Sequence, residues 1–161
     1  MARVYVRWIQ AVSRACGALA IVLLGCAMLV VCQMIFMRYL FRASTIWQTE
    51  AVVFSATGAI FLGAPYVLMR RGHVAVDFVR LIVRPSVQRW MDWTGAGLGL
   101  AFCVVMTVAT GLHLFEALEG GWTTSSVAAV PLWIPLAPMF CGFLLLCLQY
   151  VAELLKLGDP S

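Results

Sequence analysis

Four stretches of this chain, residues 15–37, 51–69, 93–115 and 127–152, contain no Asp, Glu, Lys or Arg. At about 1.5 Å of rise per residue, each is long enough to cross roughly 30 Å of hydrocarbon as a helix. Few other chain properties restrict a fold so severely. Together they predict an all-α membrane protein with four transmembrane helices. The chain is 161 residues long, with 63% hydrophobic and 11% charged residues. Over half of it lies in the four runs, which leaves connections too short for a soluble domain. A single four-span membrane unit over 1–161 is therefore expected.

The first run follows Arg3, Arg7 and Arg14, and Leu23-Leu24-Gly25-Cys26 has the form of a lipoprotein cleavage box. The residues after Cys26 stay apolar to Met37, so cleavage there would free nothing from the membrane. A first transmembrane span is the better reading. The six cysteines, Cys16, Cys26, Cys32, Cys103, Cys141 and Cys147, all fall inside the runs without a CxxC spacing. They read as small apolar filling rather than a metal or redox centre.

Basic residues set the orientation. Nine of the eleven are Arg3, Arg7, Arg14, Arg70, Arg71, Arg80, Arg84, Arg89 and Lys156, in the two tails and the second connection. Arg38 and Arg42 lie in the first connection, and the third holds Glu116 and Glu119 instead. This asymmetry predicts that both termini and the second connection of a multi-pass membrane protein face the cytoplasm. Within the second connection, His73, Asp77, Arg80 and Arg84 recur at i, i+4, i+7 and i+11, one face of a helix otherwise made of Val, Phe, Leu and Ile. A short amphipathic helix over 73–84 is expected, lying in the interface with its arginines toward lipid headgroups. Residues 1–14 repeat the pattern through Arg3, Arg7 and Arg14. Membrane lipids are thus expected partners of Arg3, Arg7, Arg14, Arg80 and Arg84. Pro85 stops the 73–84 helix and suits the first turn of the next.

The third span carries Gly95, Gly99, Cys103, Thr107 and Gly111, a small residue at every fourth position. The second carries Ala51, Ser55, Ala59 and Gly63 at the same spacing. Such stripes let helix backbones approach closely in lipid. The third-span stripe is expected to face either the second span or a helix of another subunit. At the start of the second span, Thr45 and Gln48 have the spacing of a capping box. Trp47 suits the aromatic belt, and Glu50 lies within reach of Arg38. Pro131, Pro135 and Pro138 predict an irregular entry to the fourth span, with regular helix from about Met139.

What the spans lack excludes several functions. No ionisable residue lies near mid-bilayer, where proton relays and ion sites usually need one. His73 and His113 belong to opposite ends of the bundle, so they cannot both ligate one haem. No nucleophile–base set, phosphate loop, cofactor site or nucleic-acid-binding pattern is present. The chain reads as a non-enzymatic accessory subunit, and a membrane anchor for a redox enzyme is the competing class.

One ordered set of residues carries a resemblance: Arg38-Tyr39, Trp47, Glu50, Gly63-Ala64, Arg70, His73 and Val76-Asp77. In order and spacing these resemble the small membrane subunit, the Q type, of tripartite ATP-independent periplasmic (TRAP) transporters. The likeness is best over 36–79 and extends to the four-span layout. Family members often have two acidic residues after the Trp, where this chain has Thr49-Glu50. The resemblance implies a large membrane transport subunit and a periplasmic substrate-binding protein as partners. It also implies uptake of an organic anion, coupled to sodium in the large subunit, with the small subunit as scaffold.

Overall fold

The computed structural model describes residues 2–42, 44–70, 85–126 and 128–158. They form four helices: α1 (Ala2–Phe41), α2 (Ile46–Met69), α3 (Pro85–Glu119) and α4 (Trp133–Gly158). Each contains a segment long and apolar enough to cross a membrane. Hydrocarbon offers backbone groups no hydrogen-bonding partner, so these apolar segments satisfy their peptides internally as helices. The amphipathic helix expected over 73–84 lies outside the described residues.

Cross-helix contacts fix the order of packing. Gly17 and Ala20 of α1 lie against Tyr66 and Gly63 of α2, so these two helices are antiparallel. Gly99 and Gly111 of α3 face Tyr150 and Phe140 of α4, again antiparallel. Gly142 of α4 meets Phe61 of α2, and Gly58 of α2 sits near Pro138 of α4, which makes that pair parallel. The chain therefore goes up, down, up and down, with α1 and α3 on the flanks of a central α2–α4 pair. The start of α1 and the end of α4 lie at one end of the bundle. The connections 42–45 and 120–132 lie at the other, here called the loop end.

Three local features differ from the sequence expectations. First, residues 2–14 are continuous with the first span, as α1 runs unbroken through 40 residues, about 60 Å. Its first turns pack along the end of α4, where the Tyr5 hydroxyl donates to Leu148 O at 3.3 Å. Ile9 is buried there, while Arg7, Trp8 and Arg14 remain exposed. Second, Thr45 makes no capping hydrogen bond, because its hydroxyl accepts instead from Arg38 Nε at 2.6 Å. Third, α4 begins at Trp133, not near Met139. Pro135 falls in the first turn, where no intrahelical N–H is needed. Pro138 gives up one helical bond without ending the helix. Pro85 does open α3, as its fixed φ favours.

α1 ends at Phe41, and Arg42 follows with φ of +50°, the left-handed position that usually takes Gly. A side chain there costs roughly 1–2 kcal/mol. Arg42→Gly is expected to raise stability by about 0.5–1 kcal/mol, read from the unfolding midpoint in detergent. A fall would mean that the exposed Arg42 side chain makes a contribution larger than its strain.

Candidate functional site

Among the described residues no group of three His, Cys, Asp or Glu could hold a metal, and the cysteines are free. The polar side chains instead join elements, at two places. Near the terminal end, the fully buried Ser13 hydroxyl donates to Gln149 Oε1 at 3.1 Å and ties α1 to α4. In an apolar interior such a bond fixes the register of two helices, since slippage leaves both groups unpaired. The sequence reading passed over this pair. Its signal was a Ser and a Gln at the same end of two spans.

The loop end carries four residues of the family-like motif, Arg38, Tyr39, Trp47 and Glu50. Arg38 and Glu50 do not pair with each other: Arg38 binds Thr45, and Glu50 Oε1 accepts from the Ser126 hydroxyl in the α3–α4 connection. Thr49 donates to Thr45 O at 3.3 Å and closes the first turn of α2. Tyr39 and Trp47 are exposed, at 89% and 58%, on the outside of this cluster. Gly63 is elsewhere, inside the bundle, where a Cβ would lie 3.3 Å from the Ala20 methyl. Arg70 ends α2, exposed, with its N–H donating to Tyr66 O at 3.0 Å. His73, Asp77, Arg80 and Arg84 lie outside the described residues, as does the Arg3 side chain.

The small-residue stripe of α3 is a packing face over most of its length. Its neighbour is α4, a helix of the same chain, rather than α2. A Cβ at Gly99 would lie 2.5 Å from Tyr150 Cζ, and one at Gly111 would lie 3.0 Å from a Phe140 ring carbon. Cys103 is 4% exposed, and the Thr107 hydroxyl lies 3.4 Å from Cys147 Sγ. Gly95 departs from the pattern, with open space where its Cβ would be. On the other side, α3 stands away from α2. An open apolar groove of about 510 Å³ remains between them, lined by Ala59, Gly63, Gly99, Cys103, Phe143 and Tyr150 among others.

Gly99→Leu is accordingly expected to destabilise the α3–α4 contact by about 1–3 kcal/mol. Gly95→Leu and Ala101→Leu should show no such loss, Gly95 having open space at its Cβ and Ala101 being exposed. Thermal unfolding in detergent measures all three. Equal losses at Gly95 and Gly99 would show that the stripe reflects composition and not contact.

Comparison with known proteins gives a family. The chain matches the model of the DctQ component of tripartite ATP-independent periplasmic transporters over residues 27–158. That range takes in the last 15 residues of α1 and all of α2, α3 and α4. No curated protein matches the chain, and no solved structure does.

Proposed function

Because the chain belongs to the family of DctQ components of tripartite ATP-independent periplasmic transporters, we propose that it is the scaffold against which a large transport subunit of such a system is held in a bacterial inner membrane. A periplasmic binding protein delivers the substrate, an organic anion, and the large subunit couples its entry to sodium. The observation that carries this reading is the family match over residues 27–158, which reaches into all four helices. The bundle itself fits such a role. Its Ser13–Gln149 and Ser126–Glu50 bonds join separate elements of the bundle, and its apolar flanks on α1 and α3 are exposed for lipid or another subunit. A haem anchor, the competing class, finds no such support.

The test is reconstitution. This chain should co-purify with a large transport subunit of the family, and vesicles should take up organic anion only when both membrane subunits and the binding protein are present. Uptake by the large subunit and binding protein at an undiminished rate without this chain would refute the scaffold role.

The orientation belongs to the same proposal. With nine basic residues toward one side and two toward the other, the loop end faces the periplasm. A reporter active only in the periplasm should work when fused after Gly120 and be silent when fused after Arg84. The reverse pattern would invert the protein.

A further inference from the structure

The α3–α4 connection is a small hairpin. Thr123 and Pro131 form an antiparallel bridge. Thr124 N–H donates to Val130 O at 2.8 Å, and Leu132 N–H donates to Trp122 O at 2.9 Å. The hydroxyls of the hairpin extend this ladder toward α2. Val130 N–H donates to Thr124 Oγ1 at 3.0 Å. The Thr124 and Ser126 hydroxyls lie 2.8 Å apart, and the Ser126 hydroxyl donates to Glu50 Oε1.

Proton counting gives this chain a direction. A hydroxyl has one proton, and an ionised carboxylate only accepts. With the Ser126 proton on Glu50, the Thr124 proton must point at Ser126. Donation thus runs from Val130 through Thr124 and Ser126 and ends on Glu50. Each bond in such a series polarises the next. The terminal acceptor is consequently the group on which the whole arrangement depends.

Glu50 is an imperfect terminus. Its second oxygen, Oε2, is buried and has no hydrogen-bond partner. Arg38, the cation seven residues before Thr45, gives its Nε proton to that threonine. One carboxylate oxygen therefore favours the closed arrangement through a charge-assisted bond. The other opposes it through unrelieved desolvation.

We propose that the hairpin, residues 122–126 and 128–132, is a releasable strap that Glu50 clasps onto the start of α2. The strap sets the position of Trp122, whose backbone is part of the ladder and whose ring meets His113 of α3 edge-on at 5.9 Å. Releasing Glu50 loosens that aromatic corner of the loop end while leaving the helices in place. This goes beyond the transporter reading and does not depend on it, because the strap is a property of the isolated chain.

Hydrogen–deuterium exchange on the full-length protein in nanodiscs tests the clasp. In Ser126→Ala, peptides covering 122–126 and 128–132 should exchange about tenfold faster or more, the usual consequence of losing a hydrogen bond to a charged group. The Gly120 N–H, held by Glu116 O at 2.8 Å in the end of α3, should keep its wild-type rate. Glu50→Ala should reproduce this pattern. Glu50→Gln retains an acceptor for Ser126 without a buried charge, so its hairpin should exchange no faster than wild type. Unchanged hairpin exchange in Ser126→Ala would overturn the proposal. Unchanged hairpin exchange in Glu50→Ala would also overturn it, since the clasp would then owe nothing to Glu50. Ser126 is exposed, so its truncation tests the clasp without endangering the fold.

Discussion

Gly142→Ala is expected to destabilise the bundle by about 3 kcal/mol, although alanine is the better helix former by roughly 1 kcal/mol. At Gly142 the α4 backbone presses against the α2 backbone: an added Cβ would strike the Phe61 carbonyl, 2.7 Å from its carbon and 2.8 Å from the Phe61 Cβ. A side chain in the way can turn aside, but a carbonyl inside a helix can move only if the helix moves. The helices that must part are the central pair, on which α1 and α3 both lean. The neighbouring Phe61–Phe143 contact, with ring centroids 5.2 Å apart, would open at the same time. Unfolding in a detergent titration measures the loss. Stability at the wild-type level would show that α2 and α4 do not cross this closely. Phe61→Ala should fail to rescue Gly142→Ala, because the obstructing atoms belong to the backbone.

Gly142 also marks where the sequence stops being informative. The four spans are legible because charge-free length is a property of the chain alone. The α3 stripe is legible because Gly99, Cys103, Thr107 and Gly111 repeat at helical spacing, which reports a face. It does not report what the face meets, and α4 was not the neighbour the spacing suggested. Gly142 is a single glycine in an apolar run, and nothing local separates it from Gly25, which has open space around it. Ser126 in a polar connection is equally mute. Its role comes from Glu50, 76 residues away in sequence. The loop-end contacts went astray for a related reason. Thr45–Gln48 and Arg38–Glu50 both have credible spacing. Arg38 taking the Thr45 hydroxyl excludes the first arrangement and leaves Glu50 to Ser126. Several partners lay within reach, and only tertiary geometry chooses among them.

Gly17→Ala is the second large effect expected, about 2 kcal/mol of destabilisation, and it separates contact from composition within one helix. A Cβ at Gly17 would lie 2.7 Å from Tyr66 Cγ and 2.9 Å from Tyr66 Cβ. These atoms are the root of the tyrosine, so rotating the ring does not clear them, and α1 must shift away from α2. One turn earlier lies Ser13, whose bond to Gln149 holds α1 against α4. A displaced α1 would stretch that bond as well. Tyr66→Ala removes the Cγ obstruction and leaves the Cβ, so it should restore part of the loss. A double-mutant cycle would then give a coupling energy of about 1 kcal/mol. Gly25→Ala in the same helix meets nothing within 4 Å. It should gain up to about 1 kcal/mol from helix propensity alone. Opposite signs at two glycines eight residues apart would establish that α1 is held by the face carrying Ser13, Gly17 and Ala20. The same sign at both would mean that α1 does not seat on Tyr66.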